Sequence, residues 1–151
     1  MGMATAGAGT ESDSAAKAAV TGRVLKVLPH FLDLDGQSTV SPSLFDRDAY
    51  QAHLRAHPEE CSGIRYDVNW KVRPGKDRRV TLRLELKGLF EDEHPREKLI
   101  EVSVVGKGSR RRWTGLEFSG EDYHDFGRIT AWRVTLWSDD ILMDEQTSFL
   151  W

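Results

Sequence analysis

Between Ile64 and Val72 every second residue is apolar: Ile64, Tyr66, Val68, Trp70 and Val72 alternate with Arg65, Asp67, Asn69 and Lys71. Only an extended strand, whose side chains point alternately to opposite faces, turns that spacing into one apolar and one polar surface. Val80, Leu82, Leu84 and Leu86 repeat the pattern against Thr81, Arg83 and Glu85. Pro74-Gly75-Lys76-Asp77 between the two runs has turn chemistry, so the sequence predicts that they pair as a β-hairpin.

Other segments follow the same period less cleanly. Val24 to Leu28 reads as a first strand, with Pro29 as a break or an edge before Phe31 and Leu32. Lys98 to Val105, Arg112 to Phe118 and Ile129 to Trp137 each alternate, and Ser138-Asp139-Asp140 leads into Ile141 to Trp151, which places Ile141, Met143, Thr147, Phe149 and Trp151 on one face. One helix is expected from Leu44 to Ala56: Pro42 and Ser43-x-x-Asp46 resemble a capping box, Phe45, Ala49, Ala52 and Ala56 are spaced by three and four, and Pro58 marks the end. About seven strands with one short helix after the first, and no crossover helices, predict a mainly β chain: an antiparallel β-sandwich.

A chain of 151 residues, 39% hydrophobic and 30% charged, has material for one core. Residues 23–151 are assigned to that single domain. Residues 1–22, mostly Ala, Gly, Ser and Thr, hold too few large apolar groups to offset chain entropy and are expected to form a disordered tail, with a frayed helix at most over 15–20.

Asp125-Phe126-Gly127-Arg128-Ile129-Thr130-Ala131 resembles the immunoglobulin corner pattern Asp-x-Gly-x-Tyr-x-Cys that leads into the penultimate strand, with Ile129 in place of the tyrosine and Ala131 in place of the cysteine. The resemblance implies an immunoglobulin-like sandwich and no particular activity. It puts Ile129 and Ala131 inward, whereas the alternation of Trp132, Val134 and Leu136 implies the other parity. A β-bulge near Ala131 reconciles the two, as does a chance match.

The net charge of -3 gives no overall attraction to nucleic acid or to an anionic membrane. Cys61 is the single cysteine, which excludes an intrachain disulfide and a four-cysteine zinc site. No segment approaches the roughly 18 apolar residues of a membrane span, and a cytoplasmic protein without a cofactor is expected.

Four groups of residues carry candidate chemistry. His53 and His57 stand four apart on the helix, a spacing suited to one metal ion with Glu59, Glu60 or Cys61 completing the site; with no His-Glu-x-x-His motif present, solvated histidines at a helix end are the preferred explanation. Asp33-x-Asp35-Gly36, Asp122, Asp125 and Asp139-Asp140 offer loop carboxylates for calcium, or ordinary turns. Arg110-Arg111-Arg112-Trp113, after Lys107, is a phosphate-gripping cluster with an aromatic neighbour, but Glu117, Glu121, Asp122 and Asp125 follow closely enough in sequence to neutralise it, so nucleic acid is not the expected partner. Gly106-Lys107-Gly108-Ser109 lacks the full phosphate-loop pattern, and Cys61 has no base positioned by sequence.

Trp113, Trp132, Trp137 and Trp151 fall in the last forty residues, and Trp132 and Trp137 have opposite parity. Some of that aromatic surface should lie outside a single core face, where it either anchors an interface or is covered by the N-terminal strand or the helix from Leu44. The expected function is therefore a noncatalytic protein-binding or self-assembly module using Trp132, Trp137 and Trp151 to meet a partner or a second copy. A metal-dependent domain at His53 and His57 is the alternative, and nucleic-acid binding through Arg110 to Arg112 the third reading.

Overall fold

The computed structural model describes residues 20–73 and 77–151. Residues 1–19 of the expected tail and the Pro74-Gly75-Lys76 turn lie outside the described residues; Thr21 and Gly22, assigned to the tail from sequence, are paired in the first strand. Seven strands run β1 (Thr21–Asp33), β2 (Cys61–Arg73), β3 (Arg78–Phe90), β4 (His94–Gly106), β5 (Arg112–Ser119), β6 (Arg128–Ser138) and β7 (Ile141–Thr147). Helix α1 (Leu44–Ala56) and a 3-10 turn (Pro58–Glu60) separate β1 from β2, and the short α2 (Glu121–Phe126) separates β5 from β6.

The strands form two antiparallel sheets, ordered β1-β2-β5 and β4-β3-β6-β7. This is the expected sandwich. Relative to the constant-type immunoglobulin arrangement, the fourth strand has left the first sheet and pairs with β3 instead. The alternating runs of β2 and β3 supply the two inner faces: Tyr66, Val68, Trp70 and Val72 share one core with Val80, Leu82, Leu84 and Leu86, all between 0% and 2% exposed. Burying one such side chain contributes about 1.5–3 kcal/mol, so this double row dominates the stability.

The same runs do not pair with each other. β2 lies between β1 and β5, and β3 between β4 and β6, so the predicted hairpin is a crossing from one sheet to the other. Each strand is central in its own sheet, and apolar rows this continuous bury more surface facing each other across the core than lying side by side. Pro29 sits inside β1 opposite Tyr66, where an edge strand tolerates its missing N–H.

The last two strands carry the other departures. Thr130 is the extra residue of a bulge between the Lys87–Ala131 and Gly88–Ile129 pairs, and its hydroxyl donates to the Lys87 carbonyl at 3.2 Å. The bulge lets Ile129 pack on the core although Trp132, Val134 and Leu136 follow with opposite parity. β7 ends at Thr147, so Phe149 and Trp151 do not continue its face: Phe149 is fully exposed, and Trp151 folds back over the Lys87 ammonium at 4.2 Å.

Helix α1 matches its expected bounds but not its expected face. Ser43 occupies the N-cap without a side-chain capping bond, and Phe45, Ala49, Ala52 and Ala56 are exposed. Leu54 is the buried anchor, and Gln51 grips the edge of β1, accepting from the Phe31 amide at 2.7 Å and donating to the Phe31 carbonyl at 2.9 Å.

The corner pattern falls between β5 and β6, where the resemblance places it. Gly127 holds φ +86°, ψ -151°, a region open essentially to glycine, and a Cβ there would overlap the Leu89 carbonyl oxygen. Gly127→Ala should lower the stability by about 3 kcal/mol, read as a fall in urea midpoint at unchanged slope. Gly36→Ala, at φ +77° with nothing near its Cβ, should lose only about 1 kcal/mol.

Candidate functional site

At the corner end the two sheets part around a cleft of about 660 Å³. Phe31, Ile64 and Tyr66 of the first sheet and Ile129 and Trp132 of the second form its walls, while Leu54 of α1, Pro58 of the 3-10 turn and Tyr123 of α2 close it. Tyr66 is 1% exposed, and its ring meets that of Trp132 edge-on at 6.1 Å. Its hydroxyl makes no hydrogen bond to a described residue, and since Arg83 Nε is the one fully buried side-chain polar atom without a partner among those residues, the hydroxyl keeps an opening to the cleft. Burial raises the Tyr66 phenol far above its ordinary range, with a smaller contribution from Tyr123. Burial likewise pushes Tyr123 up to about 12. Both phenols are therefore neutral donors at physiological pH.

Sequence reasoning placed Tyr66 in the core row without singling it out. The available signal was its hydroxyl, the one polar atom among the inward side chains Ile64, Val68 and Val72, since the Trp70 indole N–H is satisfied by the Thr114 hydroxyl at 2.9 Å.

Above the cleft, the β1–α1 loop is organised by Asp33. Its carboxylate accepts from the Tyr50 hydroxyl at 2.6 Å and from the amides of Asp35 and Gln37, each at 2.9 Å. Burial acts to raise its pKa, but the bonds from Tyr50, Gln37 and Asp35 outweigh burial and leave it below its ordinary value. The hydrogen bond to Asp33 raises Tyr50 to about 12, with burial adding to it. This carboxylate is occupied, Asp122 and Asp125 are exposed on α2, and Asp139-Asp140 turn at the opposite end of the sandwich, so the loop carboxylates do not gather into the calcium constellation considered from sequence.

His53 and His57 do come together, with rings stacked at 4.2 Å. Glu60 joins them: its Oε2 lies 2.7 Å from His53 Nε2 and 3.9 Å from His57 Nδ1. Glu59 is exposed. Cys61 is withdrawn, its buried thiol donating to the Leu54 carbonyl at 3.3 Å, and burial together with Glu59, Glu60 and Asp33 raises its pKa, which marks an inert thiol.

Trp132, Trp137 and Trp151 do not share a face. Trp132 points inward as a wall of the cleft, whereas Trp137 and Trp151 lie on the outer face of the four-stranded sheet. There Arg83 stacks over Trp137 at 4.5 Å, and the Trp137 indole N–H donates to the Thr135 hydroxyl at 2.8 Å. The rest of that face is charged: Arg133 joins Glu145 at 2.7 Å and Glu85 at 3.8 Å, and Arg83 Nε lies 2.8 Å from Glu101, an ion pair without hydrogen-bond alignment.

Arg110 and Arg111 are exposed in the β4–β5 connection, Arg112 opens β5, and Trp113 is 57% exposed beside them. The expected neutralisation fails for a geometric reason. β5 carries Glu117 about 16 Å from Arg112, and α2 with Glu121, Asp122 and Asp125 lies beyond it at the far end, outside a Debye length of about 8 Å. Arg73, Arg78 and Lys107 join the cluster at strand ends, opposed by Asp77, Asp139 and Asp140, and no ion pair among the described residues involves these cations. Gly106 ends β4, and Lys107 to Ser109 belong to this connection, a crossing between sheets with Gly108 at φ +64°.

Among the described residues no helix is long and apolar enough to cross a membrane. No protein-family model and no curated protein matches the chain. A solved structure from Akkermansia muciniphila is similar at 12% identity and a TM-score of 0.58, over 85% of this chain and 69% of that one; at this identity the likeness supports the sandwich fold alone.

The Asp33 hub has a pH signature. Because its pKa is lowered by folding, its contribution is complete above the ordinary carboxylate value of 3.8 and is lost as pH falls through the lower folded value. Urea titrations should find Asp33→Asn less stable than the wild type by about 1–2 kcal/mol near neutral pH, with the gap closing as pH falls below the ordinary value of 3.8. A gap independent of pH would show that the carboxylate charge is not what organises the loop.

Proposed function

We propose that the protein is a noncatalytic binding module whose inter-sheet cleft takes one small, largely apolar molecule carrying a hydrogen-bond acceptor. The observation that carries this reading is the Tyr66 hydroxyl, a neutral donor with no partner among the described residues, on the wall of a cleft of about 660 Å³. That volume is in the range of small-molecule sites, which combine mostly apolar walls with a few placed polar groups. Phe31, Ile64, Ile129 and Trp132 supply the apolar walls, and Tyr66 and Tyr123 supply the donors. This cleft is favoured over the outer Trp137–Trp151 face as the binding surface because both outer tryptophans are already covered by cations.

An anilinonaphthalene sulfonate probe, aromatic with a sulfonate acceptor, should bind the folded protein at one site and quench the Trp132 emission. Tyr66→Phe keeps the ring and removes the donor. It should weaken the probe about tenfold with little change in urea midpoint, since one hydrogen bond is worth about 1 kcal/mol or slightly more. Probe affinity unchanged in Tyr66→Phe, or no binding to the folded state, rules the reading out.

A second reading rests on a separate observation, the separation of Glu117, Glu121, Asp122 and Asp125 from the basic end along β5. Arg110 to Arg112 with exposed Trp113 offer phosphate contacts and a stacking surface for single-stranded nucleic acid. Replacing the three arginines by glutamine should reduce the slope of log affinity against log salt by about 2 for a single-stranded oligonucleotide. An unchanged slope would remove these residues from any such interface.

A further inference from the structure

The end of α1 brings three ligating side chains to one point on a surface that neither the cleft nor the basic end uses. His53 and His57 are successive turns of the helix, so their rings stack on one face, and the 3-10 turn that follows reverses the chain to bring Glu60 back under them. One donor atom from each of His53, His57 and Glu60 lies within 4.8 Å of the other two. We infer that these three residues form an open site for a divalent transition ion of the zinc class.

The chemistry of the donors fits. Two imidazole nitrogens and one carboxylate oxygen form a set that zinc accepts with a fourth position left for water. His57 Nδ1 lies 2.8 Å from the His53 carbonyl oxygen. That contact places the proton on Nδ1 and presents the Nε2 lone pair, the outer bond that orients a metal-bound histidine. Tyr50 extends the stack at 6.3 Å from His53, and it is held in turn by Asp33. Without metal, His53 Nε2 already lies 2.7 Å from Glu60 Oε2, a direct contact that a bridging ion would replace.

The geometry needs a small closure. Ligands about 2.0–2.1 Å from a tetrahedral ion are about 3.3 Å apart, so separations of at most 4.8 Å must shrink by no more than about 1.5 Å. All three side chains are 45–47% exposed and free to rotate by that amount. Cys61 remains outside the site, because its thiol faces the Leu54 carbonyl in the interior.

The test uses the full-length, tag-free protein and the metal alone. Isothermal titration with zinc chloride should find one saturable ion per chain, and cobalt(II) should give the visible absorption of a four-coordinate site. His57→Ala and Glu60→Gln should each weaken zinc at least tenfold while leaving the circular dichroism and urea midpoint in place. His124→Ala, removing an exposed histidine elsewhere, should leave zinc binding unchanged. The inference is overturned if the wild type shows no saturable binding, if either ligand variant binds as tightly as the wild type, or if His124→Ala weakens binding as much as His57→Ala.

Discussion

The fold depends on two central strands, β2 and β3, packing their apolar rows against each other across the sandwich. Val68, Trp70 and Val72 on one side and Val80, Leu82 and Leu84 on the other are all but fully buried. Each strand then recruits two partners by backbone pairing, and the edges are left to side chains. A bulge between Val24 and Lys26 frees the backbone of Val24, whose amide donates to Asp144 at 2.7 Å and whose carbonyl accepts from Gln146 at 2.9 Å. These two bonds from β7 tie the edge strands of the two sheets together and stand in for a ladder that neither sheet continues.

That tie also explains where the sandwich opens. The sheets are held together at the β1–β7 seam near Val24 and by Trp70 in the core, but toward the corner end they diverge, and helical pieces span the gap. Phe126 of α2 plugs one side, meeting Phe118 edge-on at 5.3 Å. Leu54, Pro58 and Tyr123 roof the remainder without filling it. The cleft is thus a consequence of strand divergence, and its wall is shaped by the Thr130 bulge, which turns both Ile129 and Trp132 inward.

Much of the architecture was legible because period two is an unambiguous physical signal. The strand segments, the helix from Leu44 to Ala56 and the corner at Asp125 to Ala131 were all visible. Which strands pair was not: alternation reports that Tyr66 and Leu84 are inward, and says nothing of whether they share a sheet or face each other across it. The helix face was misread because Phe45 and three alanines look apolar, while the real anchors, Leu54 and the Gln51 amide on the edge of β1, depend on tertiary contact. Of the candidate sites, the histidine pair was readable from i,i+4 spacing, and Glu60 was one of three named partners. The cleft was not, since a gap between sheets is a property of divergence rather than of any local run. The charge balance at Arg110 to Arg112 failed for the same reason: sequence proximity to Glu117 and Asp122 is not proximity in space once a strand runs between them.

The claim that the sheets hold a preformed, polar-anchored cleft is tested most directly by a crystal structure of the tag-free protein. It should show the cleft open, with ordered solvent or an organic molecule within hydrogen-bond distance of the Tyr66 hydroxyl. Sheets closed onto each other, with that hydroxyl bonded to a protein atom and no space beside Trp132, would contradict it.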